Sequence, residues 1–95
     1  MPFNIIITSN ALRDIQEAIH WENNMYAGLG KRFYKQLEPR LLLLSFTPFA
    51  GSIRYENVRC TTTKVFKYII HYIVNQSENQ IIVLRVLHVS RKPIY

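Results

Sequence analysis

The 95-residue sequence has a single cysteine, six acidic residues and no long apolar run. Because Cys60 stands alone, no internal disulfide can form, and we expect a reducing compartment. No apolar stretch approaches the roughly 20 residues of a membrane-spanning helix, and the first residues do not resemble a signal peptide. These absences favour a cytoplasmic protein with no membrane contact.

The length fits one domain, residues 1–95, with a core of its own. Hydrophobic residues make up 48% of the chain and charged residues 19%, which is a globular rather than a disordered composition. The sequence contains no repeats, linkers or low-complexity segments, so no domain boundary is expected.

Positive charge is concentrated in the second half of the chain. Residues 1–50 contain five Lys or Arg and four Asp or Glu, whereas residues 51–95 contain seven basic residues against Glu56 and Glu78, for a net charge of +6. The asymmetry favours an anionic partner, either nucleic acid or an acidic protein segment. A surface that is basic for solubility alone is the alternative.

Hydrophobic periodicity predicts a strand and two helices in the first half. The strand covers residues 3–8, and Ser9 or Asn10 then caps a helix that ends near residue 24. A glycine-containing break at residues 26–30 precedes the second helix. The expected apolar faces are Leu12, Ile15 and Ile19 in the first helix, and Phe33, Leu37, Leu41 and Leu44 in the second.

Two features of the second helix are unusual. Pro39 cannot donate a backbone hydrogen bond, so we expect a kink or a split near Glu38. The run of four leucines at residues 41–44 is too apolar for one narrow stripe, and part of it should face the kink or a partner chain. The sequence also permits a homodimer.

The second half reads as strands. Residues 53–61 form one strand or two short ones broken near Glu56, and residues 65–74 and 81–89 form a hairpin around the polar loop 75–79. The resulting fold class is α+β: an N-terminal strand, a two-helix hairpin, then an antiparallel three-stranded meander. The helices cover one face of an antiparallel sheet and leave the other available for binding.

Functional candidates gather at the end of the last strand, where Arg85, His88, Arg91 and Lys92 follow one another. In a regular strand Arg85 and His88 point to opposite faces, and only a bulge or strand end between them would bring them together. Tyr68 and Tyr72 are interpreted as packing residues rather than a base-stacking platform, and Cys60 as a half-buried strand residue rather than a nucleophile. The histidines and the cysteine show no ligand spacing, so neither a metal nor an organic cofactor is expected.

The order of these elements resembles the RelE/ParE superfamily of toxins from bacterial type II toxin–antitoxin systems, including plasmid stabilisation proteins. The resemblance covers nearly the whole chain, and its strength lies in the order and spacing of the segments. They are residues 9–15 (SNALRDI), 27–33 (AGLGKRF), 44–48 (LSFTP), 53–55 (IRY), 58–59 (VR), 66–72 (FKYIIHY), 83–88 (VLRVLH) and 91–93 (RKP).

The resemblance implies an antitoxin partner and one of two activities. ParE-like members poison DNA gyrase by binding it, and RelE-like members cut messenger RNA on the ribosome. In the nuclease branch an arginine commonly stands three residues before the tyrosine of the penultimate strand, but here Ile69 precedes Tyr72 at that spacing. The ParE-like activity is therefore favoured, and whether the protein is an enzyme stays open. An inactive homologue that only binds antitoxin is the third alternative.

Each activity assigns roles to particular residues. In a nuclease, His88 would act as the base beside Arg85 and Arg91, with cationic charge stabilising the phosphate. The candidate partner- or nucleic-acid-binding residues are Arg54, Arg59, Lys64, Lys67, Arg91, Lys92 and Tyr95. Arg54, Arg59 and Lys64 also suit an edge strand, where basic residues discourage aggregation.

Overall fold

The computed structural model describes residues 2–90 as a small sheet and a helical hairpin. The elements are β1 (Asn4–Ile7), α1 (Ser9–Met25), α2 (Leu29–Phe46), β2 (Ser52–Tyr55), β3 (Val58–Thr62), β4 (Tyr68–Asn75) and β5 (Gln80–His88). The expected α+β class and the order strand, helical hairpin, meander are confirmed. Of the two arrangements considered for residues 53–61, the pair of short strands is the one present, joined by a turn in which Glu56 has a φ of 48°.

The five strands lie in the order β1-β5-β4-β3-β2. Strands β2 to β5 form the expected antiparallel meander. The sheet differs from an all-antiparallel one in a single pair, because β1 lies parallel to β5 with Asn4 opposite Gln80 and Ile7 opposite Val83. Parallel neighbours need a long connection, which the helices and the meander provide here.

Helix α1 begins one residue earlier than the sequence suggested. The cap is Thr8, whose side-chain oxygen accepts a hydrogen bond from the Ala11 amide at 3.2 Å, and not Ser9 or Asn10. Thr8 also fixes the helix to the sheet, since its hydroxyl donates to the Val83 carbonyl at 2.9 Å. The cap is therefore set by the end of β1 as well as by local sequence.

Helix α2 is continuous through Pro39, so of the kink or split expected near Glu38 the split does not occur. Its buried residues lie on both sides of the proline, with Phe33 and Leu37 before it and Leu41 and Leu44 after it. Burial of this face along the whole helix outweighs one missing backbone hydrogen bond.

The core lies between the two helices and one face of the sheet. The α2 face predicted from the sequence is confirmed in full, but in α1 the buried stripe is Ala11, Ile15 and Ala18, with Ile19 partly buried. Leu12, expected in the core, is 49% exposed. The small alanine side chains on the inner face allow α1 to pack closely on the sheet. Leu12 follows Ala11 in the sequence and lies outside the buried stripe.

The helical hairpin closes tightly at Gly30. Its amide donates to the Asn23 side-chain oxygen at 2.9 Å. A Cβ at this position would clash with the Ile19 carbonyl oxygen and lie 2.8 Å from the Asn23 side chain. Glycine is therefore required for the close approach of α2 to the end of α1.

Candidate functional site

A bulge in β5 decides which way the candidate residues point. Arg85 of β5 lies opposite His71 of β4. The next residue of β4, Tyr72, lies opposite Val83 rather than Leu84, so Leu84 is the extra residue of a β-bulge. We call the sheet face that carries Tyr68 and Tyr72 the helix face, because both side chains are buried in the core beneath the helices. The other face, which carries His71, is the open face.

Arg85 and His88 lie on opposite faces of the sheet. The pairing from Arg85–His71 to His88–Tyr68 is regular, and residues three apart in a regular strand alternate in direction. The bulge precedes Arg85 and does not fall between the two residues. The geometry that could have combined them into one catalytic set is therefore absent.

Arg85 is held by Asp14 of α1. Its Nε and one Nη donate to the two carboxylate oxygens at 2.7 and 2.9 Å, and the Val86 amide donates to the same carboxylate at 3.0 Å. Asp14 is buried, and its hydrogen bond raises the pKa of Arg85 further above its ordinary value. Because β1 ends opposite Val83, this contact covers the edge of β5 that β1 leaves unpaired. Asp14 and Arg85 are 71 residues apart in the chain, so no local sequence pattern links them.

His88 packs at the end of β5 against the helix-face residue Tyr68. The two rings meet edge-on with centroids 5.1 Å apart, and the Tyr68 hydroxyl donates to a Glu22 carboxylate oxygen at 3.0 Å. The backbone amide of Ser90 donates to Nδ1 of His88 at 3.2 Å, and the Ser90 hydroxyl lies 2.8 Å from the same nitrogen. Since an amide can only donate, Nδ1 is an acceptor and is already engaged within the protein.

Both tyrosines considered for base stacking are core residues, in agreement with the interpretation from sequence. Tyr68 and Tyr72 are fully buried. The Tyr72 hydroxyl donates to the Pro48 carbonyl at 2.9 Å and accepts a hydrogen bond from the Gly51 amide at 2.9 Å. Burial is the main reason that the pKa of Tyr72 is raised. These side chains fasten the loop between α2 and β2.

Arg59 lies on the same face as Tyr72 and contributes to the same loop. Its guanidinium donates to the Gly51 carbonyl at 2.7 Å and to the Phe49 carbonyl at 3.3 Å, and it stacks 5.0 Å from the centre of the Phe49 ring. The cation is therefore engaged inside the protein rather than presented on the open face.

The remaining predicted basic residues do not form one cluster. Arg54 is exposed on the outer strand β2 near the start of β3, whereas Lys64 and Lys67 are exposed in the turn that follows β3. The Lys67 carbonyl accepts a hydrogen bond from the Val89 amide at 3.0 Å, which ties that turn to the end of β5. Arg91, Lys92 and Tyr95 lie outside the described residues.

On the sheet face away from the helices, the Cys60 thiol and the His71 imidazole are in contact, and both side chains are buried. Cys60 stands opposite His71, with its Sγ 3.5 Å and the Tyr55 hydroxyl 3.3 Å from the His71 Nδ1. Burial raises the pKa of Cys60, with Arg54 opposing, and burial followed by the Arg85 charge lowers the pKa of His71. Both groups are therefore neutral near pH 7, and Cys60 is a buried strand residue without the thiolate that a nucleophile needs.

The structure contains a groove that the sequence did not predict, although part of the leucine run was expected to face the kink or a partner chain. The groove lies between α2 and the β3–β4 turn, has a volume of about 400 Å³, and is lined by Lys35, Gln36, Pro39, Arg40, Leu43, Thr63, Lys64 and Val65. Its wall in the turn is fixed because the Thr63 amide donates to the Tyr68 carbonyl at 2.9 Å and the Tyr68 amide donates to the Thr63 hydroxyl at 3.0 Å.

Residues 2–90 contain neither a cluster of metal-ligating side chains nor a membrane-spanning helix. No three His, Cys, Asp or Glu side chains in that part of the chain come together as a metal site. Neither of its helices is apolar enough over a sufficient length to cross a membrane.

The ParE toxin family, described as the ParE toxin of the type II toxin–antitoxin system parDE, matches residues 5–93. The match covers nearly the whole chain, so this protein belongs to that family and is a type II toxin. No curated protein matches the sequence significantly.

Solved structures of similar fold come from both branches of the superfamily. A chain of the chromosomal ParDE system from P. aeruginosa superimposes with a TM-score of 0.81 at 14% identity, covering 93% of this chain and 97% of that one. A chain of the intact E. coli RelBE complex gives a TM-score of 0.71 at 17% identity, with coverages of 94% and 99%. A chain of the RelBE2 complex from Mycobacterium tuberculosis gives 0.69 at 19% identity, with coverages of 96% and 95%. At these identities the structures establish the shared fold.

Proposed function

We propose that this toxin arrests bacterial growth by binding DNA gyrase, without cutting RNA, and that a cognate antitoxin neutralises it. The observation that carries the proposal is the separation of Arg85 from His88. Arg85 is paired with Asp14 through two hydrogen bonds at the edge of β5, and His88 packs on Tyr68 on the helix face.

Cleavage of RNA by its own 2′-hydroxyl needs a base, an acid and cationic charge around one phosphate. Among the residues that the structure describes, Arg85 and Arg59 are already bound to groups of the protein. Ile69, at the spacing where a nuclease commonly has arginine, lies opposite Leu87, so that part of the open face is apolar. These placements favour a binding inhibitor.

The antitoxin proposal is supported by family membership and by charge. The three similar structures above all come from toxin–antitoxin systems. The chain carries a net charge of +6, which complements an acidic partner. The free Cys60 thiol is compatible with action in the reducing cytoplasm.

The test compares the two targets with purified protein. We expect inhibition of DNA supercoiling by gyrase at toxin concentrations that leave ribosome-bound messenger RNA intact. Ribosome-dependent cleavage without gyrase inhibition would reverse the assignment. Induction of the toxin should also arrest growth, and co-expression of the adjacent reading frame should restore it. Unchanged growth with abundant folded protein would instead indicate an inactive homologue.

A further inference from the structure

The leucine run of α2 divides between the core and the surface. Leu41 and Leu44 are buried, while Leu42 and Leu43 are 62% and 49% exposed. Phe46, three residues after Leu43, is 63% exposed, and Val65 across the groove is 65% exposed. Of these exposed side chains, Leu43 and Val65 line the groove. Apolar side chains around a concave surface mark an interaction site more often than a solvated surface.

The polar residues at the rim of this groove carry one sign of charge. Lys35, Arg40 and Lys64 line it, and no acidic side chain does. Arg40 donates to the Thr61 hydroxyl at 3.0 Å, while its buried Nε has no hydrogen-bond partner within the described residues. The apolar residues that line the groove are Pro39, Leu43 and Val65. An occupant must therefore combine apolar side chains with carboxylates.

Pro39 adds a backbone feature to the same wall. Because proline has no amide hydrogen, the carbonyl of Lys35 lacks the usual partner four residues on. Both residues line the groove. The groove is therefore lined by cationic and apolar side chains together, a combination that suits an acidic amphipathic peptide segment.

We propose that the groove between α2 and the β3–β4 turn binds an acidic amphipathic segment of the antitoxin, with apolar side chains on Leu43 and Val65 and carboxylates near Lys35, Arg40 and Lys64. The identity of the partner rests on the proposed function. A second copy of the chain fits the groove poorly, because each copy carries a net charge of +6. Helix-in-groove recognition of this kind uses apolar anchors one helical turn apart.

The binding experiment compares the wild type with Leu43→Ser/Val65→Ser by calorimetry. The probes are the protein encoded by the adjacent reading frame and a synthetic amphipathic Leu/Glu peptide. Leu12→Ser is the matched control, because Leu12 and Leu43 are both 49% exposed. We expect the double variant to lose about tenfold or more in affinity for both probes, and the control to lose little.

A charge swap tests the rim. Lys64→Glu should weaken binding of the Leu/Glu peptide, and Lys31→Glu, which changes an exposed lysine at the start of α2 outside the groove lining, should not. Binding should also weaken with added salt. A Leu/Lys peptide that binds as tightly as the Leu/Glu peptide would overturn the inference, as would affinities that are equal in wild type and double variant.

These results are separable from a failure of the proposed function. If the adjacent protein relieves growth arrest and binds both toxin forms equally, the antitoxin assignment stands and the groove assignment falls. If induction of the toxin does not arrest growth, the proposed function fails, and the Leu/Glu peptide alone still decides the chemistry of the groove. Thermal unfolding of each variant checks that the fold is retained.

Discussion

The Asp14 carboxylate binds Arg85 through two hydrogen bonds, of 2.7 and 2.9 Å, and joins the first helix to the last strand. The pair is asymmetric, since the side chain of Asp14 is 5% exposed and that of Arg85 is 29% exposed. If Arg85 is removed, the carboxylate that remains is shielded from water; if Asp14 is removed, the guanidinium that remains can be solvated. The two deletions are therefore expected to lower the free energy of unfolding by different amounts.

Arg85→Ala should destabilise the protein more than Asp14→Ala. The first change leaves a buried carboxylate without its counter-charge, at a cost of about 3–5 kcal/mol. The second leaves a partly exposed guanidinium that water can solvate, at a cost of about 2–3 kcal/mol. Urea unfolding measures both, and Gln16→Ala, on the same helix but exposed and uncharged, is the control. Equal losses would show that burial does not govern the pair.

His88→Ala should remain toxic. The histidine contacts the edge of Tyr68, and such ring pairs contribute about 0.5–1.5 kcal/mol, so the melting temperature should fall slightly. A catalytic base would instead account for about 10²–10⁴-fold of the activity. Growth assays at matched protein levels separate the two. Loss of toxicity with unchanged melting would favour RNA cleavage.

Tyr72→Phe should loosen the α2–β2 loop. The hydroxyl bonds to the Pro48 carbonyl and the Gly51 amide, and its removal leaves buried polar groups unpaired at a cost of about 1–3 kcal/mol. Tyr34→Phe, on the partly exposed surface of α2, is the matched control and should cost little. Hydrogen exchange of the Gly51 amide provides a local readout, and unchanged protection would contradict this role of the hydroxyl.

Gly51→Ala tests the same loop by steric means. An added Cβ would lie 2.7 Å from the Tyr72 hydroxyl and 2.9 Å from the Cys60 carbonyl oxygen. Neither the buried ring nor the strand backbone can yield easily, so we expect a loss of about 1–3 kcal/mol from overpacking. The alanine variant combined with Tyr72→Phe should lose less than the sum of the two single changes, because the phenylalanine lacks the hydroxyl that the Cβ meets.

Stability should decrease as the pH falls below about 6.5. Burial lowers the pKa of His71 from its ordinary value of 6.5. Between that value and the lowered native pKa, the imidazole is protonated in the unfolded chain and neutral in the folded protein. The contribution of His71 is therefore fully present above pH 6.5 and is lost as the pH falls through the lowered native pKa. His71→Asn should show a smaller difference in unfolding free energy between pH 7.5 and pH 5.0. Titration of the imidazole by NMR gives the native pKa directly.

The sequence was a reliable guide where residues near one another in the chain determine the structure. The 3.6-residue spacing of Phe33, Leu37, Leu41 and Leu44 predicted the buried face of α2. Alternation in β4 placed Tyr68 and Tyr72 on one face and His71 on the other. It was less reliable for α1, where Ala11 and Ala18 rather than Leu12 face the core. A pattern of large apolar residues does not reveal that α1 packs close to the sheet, where small side chains fit best.

Long-range contacts supplied partners and constraints that the sequence did not predict. Arg85 was predicted as a catalytic candidate and Arg59 as a binding or edge-strand residue. In the structure Arg59 contacts the loop before β2, and Arg85 contacts a helix residue 71 positions away. Of the kink or split that the backbone alone predicted near Glu38, the split does not occur, because burial on both sides of Pro39 keeps α2 continuous. None of these partners leaves a local pattern in the sequence.

The sequence by itself determined the α+β class, the order of the elements and the toxin family, because these depend on periodicity, turn residues and the spacing of segments along the chain. Only the tertiary structure decided that Arg85 and His88 lie apart, that β1 runs parallel to β5, and that Leu43 faces a basic groove. A one-residue bulge before Arg85 reverses the side-chain alternation of the remaining strand. Such a shift depends on the pairing of two strands, and neither strand encodes it alone.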